Sequence, residues 1–402
     1  MRLRLSRVPI ETPIFILDIG HGENETDTDS SSGAAVPPDP ALPNGPPETV
    51  QTVVPQLLID HYISMVDPSR AQTVDSEIAR HCAFSLPAVA LTLGRSNWPQ
   101  LRSTYENLAS DMQWKVRRTL ASSIHELGVI LGTDVTSAEL IPIFNGFLKD
   151  LDEVRIGLLK HLEDFFLLLK PEDRIEYLPK LSEFLKMDNE RNWRFRKELG
   201  SQLRGLVPLF SASHVDEFIT PIALFLVRDK VACVRQTAIS VVAVIVRKLS
   251  DGDREGGDSL LCGNLLKCLQ ESLASDSLWV HRQTYAFLAG KISEEEAVPK
   301  SAFVETVLPS LLQLAEDKVP NVRLSVARTM NALKKDEVLP MANRVGEEDG
   351  GDGGGDYRPE ISLIDNQRLD IIENNLKNDP DIDVRYAYEV NQSHSAVTLD
   401  DD

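Results

Sequence analysis

The feature that most constrains this chain is a short signature that recurs along it. An aspartate is followed by a polar turn, then an apolar residue joined to an arginine, then a helical run. It stands at Asp111 to Val116-Arg117, Asp188 to Trp193-Arg194, Asp229 to Val234-Arg235, Asp276 to His281-Arg282, Asp317 to Val322-Arg323 and Asp379 to Val384-Arg385, with an Asp-to-Arg offset of six each time. Asp150 to Val154-Arg155 is one residue shorter, and Asp75 to Ala79-Arg80 is a weaker eighth copy. The intervals between successive arginines are 37, 38, 39, 41, 47, 41 and 62. A fixed period of this length means stacked units, not one globular core.

The period is that of a two-helix HEAT unit. Each signature opens a second helix whose apolar residues recur at helical spacing, as in Val116, Leu120, Ile124, Leu127 and Leu131, or Val322, Val326, Met330 and Leu333. Such a stripe makes one buried face. The first helix commonly carries a proline near its start or within its first turns, as at Pro55, Pro99, Pro142, Pro179, Pro221 and Pro309. Proline is tolerated there because the first helical N–H groups have no intrahelical partner. The aspartate is expected in the turn, accepting from the free N–H groups at the start of the second helix. The arginine is expected to reach the aspartate of a neighbouring repeat, making a ladder. A lone hairpin leaves its apolar face in water, so stability must come from stacking at least about three units. The reading is an all-α solenoid, a superhelix of about eight HEAT hairpins over residues 50–391.

Segments that cannot bury apolar surface flank and interrupt this array. Residues 1–49, acidic and proline-rich, are expected to be disordered, and residues 392–402 form an acidic tail. Glycine-rich charged loops are expected at about 250–259 and 341–358, inside the two longest intervals. The first hairpin has no polar capping helix before it, so the array reads as a form shortened on its N-terminal side. The net charge of −20 sits mostly at the ends: residues 1–49 hold 8 acids and 3 bases, residues 340–402 hold 16 and 5, and −4 remains between. A nearly balanced body suits a protein partner better than nucleic acid, which calls for a basic stripe with stacking aromatics. Cys82, Cys233, Cys262 and Cys268 follow no paired spacing and read as small buried residues of a reducing compartment. The cytoplasm, with the nucleus as a second site, is the expected location.

Motifs for chemistry are lacking. Gly290-Lys291-Ile292-Ser293 has Tyr285 where a phosphate loop needs its first glycine. Asp251 to Gly256 copies the opening of a calcium loop, but Cys262 stands where its bidentate glutamate belongs. His125 has no second histidine at metalloprotease spacing, and His161, near Glu163 and Asp164, no second ligand cluster; both read as surface residues on helices. No serine or cysteine nucleophile has a recognisable setting. The chain is expected to be no enzyme and to hold no metal or cofactor.

The ordered set of motifs carries a resemblance. Asp188 to Arg196, Asp229 to Arg235, Trp279 to Arg282, Val319 to Arg323 and Asp379 to Tyr386 resemble, in order, the last five repeats of the phosphatase 2A scaffold subunit. Asp111 to Arg118 and Phe144 to Arg155 look closer still to the related regulatory subunits of protein phosphatase 4. The likeness covers about residues 55–390. It implies a non-catalytic regulatory scaffold that grips a serine/threonine phosphatase catalytic subunit on the intra-repeat turns of its C-terminal repeats, with a phosphoprotein substrate or a third subunit as further partners. Carried over by motif, the partner-binding residues are Trp193, Arg194, Trp279, Arg282, Asn321 and Arg323. An importin-type HEAT transport receptor or another protein-binding solenoid is the alternative; the Trp-Arg-x-Arg run at Trp193 speaks against the transport receptor. Independently, both long insertions fall between repeats while the turns within repeats stay uniform, so the partner is expected on the uniform edge.

Overall fold

The computed structural model describes residues 54–393 apart from 68–75, 187–191, 255–259, 336–337 and 339–362, all within one compact unit, Asn44–Asp402. The expected disordered segment, the acidic tail and the second inserted loop lie outside the described residues. Among the described residues there is no strand, and no helix is long and apolar enough to cross a membrane.

Eight second helices follow one another: Ser76–Leu93, Trp114–Leu131, Asp152–Leu159, Trp193–Leu206, Ala232–Arg254, Trp279–Glu294, Pro320–Lys335 and Ile382–Ser393. Each packs on the one before it. The stripe Val116, Leu120, Ile124, Leu127 and Leu131 is buried throughout, as is Val322, Val326, Met330 and Leu333. Burying one such side chain stabilises by about 1.5–3 kcal/mol, but only where a neighbouring repeat covers it. One continuous apolar core therefore runs from Ile59 to Tyr388. This is the HEAT-type α-solenoid expected from the period.

The prolines fall at helix starts and within the first few turns, and the deeper ones need a second physical reason. Pro55 caps Gln56–Met65 and Pro99 sits in the first turn of Trp98–Ala109, as expected. Pro142, Pro221 and Pro309 instead lie well inside continuous helical segments that begin at Thr133, Ala212 and Lys300, and Pro179 is inside Pro171–Leu181. An interior proline ring collides with the carbonyl four residues back. The chain answers by widening the preceding turn to π geometry. The Ile141 N–H reaches five residues back to the Thr136 carbonyl, Thr220 to Val215 and Leu308 to Phe303.

Two glycines end second helices at the opposite edge. Gly94 (φ 80°) and Gly132 (φ 78°) take a backbone conformation closed to residues with a Cβ, and each turns the chain into the next repeat. The inserted loop near residue 250 is shorter than composition suggested, because the helix continues to Arg254. The Asp253 carboxylate then accepts from the N–H groups of Leu261 (3.3 Å) and Cys262 (3.0 Å), capping the next helix. The expectation of four buried cysteines holds for Cys82 and Cys262; Cys233 is half-buried and Cys268 exposed.

Candidate functional site

Five of the turns within repeats share one wiring pattern, while in the shorter third-repeat turn Asp150 accepts from the N–H of Leu151, one residue on, at 2.7 Å. The aspartate carboxylate accepts from the backbone N–H two residues on: Asp111 from Gln113 at 2.7 Å, and Asp229, Asp276, Asp317 and Asp379 from Val231, Leu278, Val319 and Asp381, each at 2.8 Å. These bonds close the turn itself and fall short of the helix N–H groups that the sequence reading assigned to them. The arginine six positions on donates from Nη1 to the carbonyl of its own aspartate, at 2.6 Å for Arg117, 2.8 Å for Arg235, 2.9 Å for Arg282 and 2.8 Å for Arg323. That bond sets the offset of six. The other prongs of the fork hold the carboxylate of the next repeat: Arg117 to Asp150 (2.6 and 2.8 Å), Arg282 to Asp317 (2.5 and 3.0 Å) and Arg323 to Asp379 (2.7 and 2.8 Å). Bidentate pairing of this kind fixes geometry as well as energy. The bond to Arg117 holds the Asp150 carboxyl below the usual carboxylate range.

The ladder departs from the sequence reading in the first repeat, where Arg80 pairs with Glu77 on its own helix, and at two later rungs. In the fourth repeat Arg196, not Arg194, is the rung: its guanidinium is bound twice to Asp229, with Nη2 to Oδ1 at 3.2 Å, and both side chains are nearly sealed from water. Arg194 is exposed, its guanidinium 4.6 Å from the centre of the Trp193 ring. A signal for this register was present, since Trp114, Trp193 and Trp279 each stand three residues before Arg117, Arg196 and Arg282. Counting six from Asp188 stops two residues early. The second of these later rungs is at Asp276, which Arg235 does not reach. Asp276 is held by the Leu278 N–H, by His281 Nδ1 at 2.9 Å and by Arg228 at 3.2 Å, and these bonds push its carboxyl down to about 2. The Arg235 fork thus has no carboxylate among the described residues, across the interval of 47 where the ladder is interrupted. Sequence reasoning missed Arg235 as a candidate; the long interval was the clue.

The wired turns present apolar side chains to solvent. Met112 is 99% exposed, and Leu151, Leu278 and Ile382 are each more than half exposed. Trp279 begins its helix with 38% of its surface in water, whereas Trp193 and Trp114 are half-buried against the core. Asn321 is exposed at the start of Pro320–Lys335, its carbonyl accepting from Ser325 Oγ at 2.9 Å and Gln283 Nε2 at 3.3 Å. Of the sequence-derived residues, then, Arg194, Trp279 and Asn321 face solvent, Trp193 does so in part, and Arg282 and Arg323 are committed to rungs. Beside this edge lies an open groove of about 680 Å³ lined by Leu185, Phe225, Arg228, Lys230, Cys268 and His281, among others. Its mouth joins cations to an exposed phenylalanine. Trp114 occupies the same position as Trp193 and Trp279 and was overlooked in the sequence.

Comparison with known proteins agrees with the reading. Residues 82–184 match the family described as protein phosphatase 4 regulatory subunit 1 middle domain, and residues 307–336 match the HEAT repeat. Serine/threonine-protein phosphatase 4 regulatory subunit 1 of Homo sapiens is 51% identical over 320 residues, 79% of this chain and 33% of that protein. Its counterpart in Mus musculus is 53% identical over 296 residues, covering 73% of this chain and 31% of the relative. The chain spans about a third of the length of the curated relatives it matches. Among solved structures, importin beta aligns with a TM-score of 0.42 and 14% identity, over 83% of this chain and 44% of that one. Along 73–79% of its own length the chain is similar to serine/threonine-protein phosphatase 4 regulatory subunit 1, and its residues 82–184 match the middle-domain family of that protein.

Proposed function

We propose that this chain is a regulatory scaffold without catalysis of its own, and that its intra-repeat turns hold a serine/threonine phosphatase catalytic subunit of the protein phosphatase 4 type. The observation that carries the reading is the row of exposed apolar side chains, from Met112 to Ile382, mounted on turns that the Asp–Arg ladder keeps in register. Apolar groups offered to water on rigid turns are suited to one rigid partner, and Trp and Arg are the residues most enriched where binding energy concentrates. Trp193, Trp279, Arg194 and Asn321 offer side chains to the partner. Arg282 and Arg323 act by holding the turns that present them, and Arg235 contributes a guanidinium fork that holds no carboxylate among the described residues. The relatives are named as phosphatase regulatory subunits, which selects the class of partner.

The test is affinity purification of the tagged chain from cell extract, followed by mass spectrometry. The reading expects a phosphatase 4 catalytic chain in stoichiometric amount, with phosphatase activity that leaves the scaffold when that chain is stripped from it. Recovery of Ran and transport cargo without a phosphatase would contradict it.

A further inference from the structure

Two histidines 36 positions apart in sequence, which the sequence reading left as separate surface residues, meet on the flank between the second and third repeats. His125 lies on Trp114–Leu131. His161 occupies a break between Asp152–Leu159 and Leu162–Leu167, with φ −127° and ψ 29°, where the sequence has neither proline nor glycine. The two imidazoles stack face to face, with centroids 3.9 Å apart and planes 9° from parallel. Asp164 joins them, its Oδ2 lying 3.3 Å from His161 Nδ1. One nitrogen from each ring and one carboxylate oxygen all fall within 4.8 Å of one another.

The polar atoms of this cluster are poorly used by the fold. His125 Nδ1 is buried and finds no hydrogen-bond partner among the described residues. Burial, then the neighbouring His161, lowers the pKa of His125 to about 4. A buried imidazole nitrogen with no hydrogen-bond partner, beside a second imidazole and a carboxylate, makes a set of metal-type ligands.

We propose that His125, His161 and Asp164 form a binding site for a divalent transition metal, with zinc the best match, that clips the second repeat to the third. Two imidazoles and one carboxylate suit zinc and its neighbours in the first transition row, whereas magnesium and calcium call for oxygen ligands. Parallel rings do not aim both lone pairs at one point, so one imidazole must turn about its Cβ–Cγ bond as the donors draw in to about 2.0–2.2 Å from the ion. His161 can make that turn, because 35% of its side chain and 57% of that of Asp164 are exposed. Water would complete the coordination. The ion would bind the folded pair of repeats and not the unfolded chain, so its effect is on stability and not on any reaction.

The experiment is isothermal titration of the full chain, stripped with chelator, with zinc chloride, alongside its Tm with and without the metal. One saturable equivalent and a higher Tm are expected. His161→Gln should weaken binding at least about tenfold, and Asp164→Asn should weaken it as well, while Cys268→Ser, which removes the exposed thiol, should leave it unchanged. Circular dichroism establishes that each variant is folded; if His161→Gln is not, Asp164→Asn decides alone. Absence of a saturable equivalent, or titration of the folded variants indistinguishable from the parent, would overturn the proposal.

Discussion

Arg196→Ala should destabilise the repeat stack by about 3–5 kcal/mol, whereas Arg194→Ala, two residues away, should leave stability nearly unchanged. Arg196 is 3% exposed and Asp229 4%, so removing the guanidinium strands a carboxylate out of water. The Val231 N–H at 2.8 Å still meets one Asp229 oxygen, which offsets part of the loss but not the charge. Arg194 holds no carboxylate among the described residues; it lies over an indole at the surface, an arrangement worth about 0.5–1 kcal/mol at exposed sites. Denaturant melts of both variants distinguish the two registers. A large loss for Arg194→Ala with none for Arg196→Ala would restore the offset of six in the fourth repeat.

The second large effect is expected on binding. Trp279→Ala should weaken the phosphatase catalytic subunit by at least about 2 kcal/mol, roughly thirtyfold in Kd, with little change in Tm. The indole is exposed beside Leu278, so two large apolar side chains of that turn face water. Trp193→Ala is expected to lower both affinity and Tm, because this ring is half-buried against the core. Arg282→Ala should also lower both, since it breaks the rung to Asp317 and frees the turn that carries Trp279. Calorimetry and thermal melts on the three variants separate contact from support. A thirtyfold loss in none of them would remove these positions from the interface.

The repeat, the class of fold and the edge bearing the signature were legible because one local bond sets them. The arginine Nη1 must reach the carbonyl of its own aspartate, so chain geometry imposes a constant spacing that survives in the letters. Where the bond acts across repeats, spacing carries less. The fork of Arg196 meets an aspartate 33 positions away, and only the shared Trp-x-x-Arg pattern hinted at it. The π turns before Pro142, Pro221 and Pro309 were invisible because composition places a proline near a helix start while packing lets the helix begin earlier. The helical reach to Arg254 was hidden for a similar reason: polar residues look like loop until Asp253 is seen to cap the next helix. The His125–His161 pair depends on which helix faces overlap after stacking, and no local spacing encodes that.

The central claim is that the partner docks on the edge made by the turns within repeats. Hydrogen–deuterium exchange of this chain, alone and bound to the catalytic subunit, tests it most directly. Slowed exchange is expected at residues 192–196, 229–235, 276–282 and 317–323, and unchanged exchange at the opposite edge around Gly94, Gly132, 207–212 and 295–300. Protection confined to that opposite edge, with the Asp–Arg turns exchanging as they do in the free chain, would contradict it.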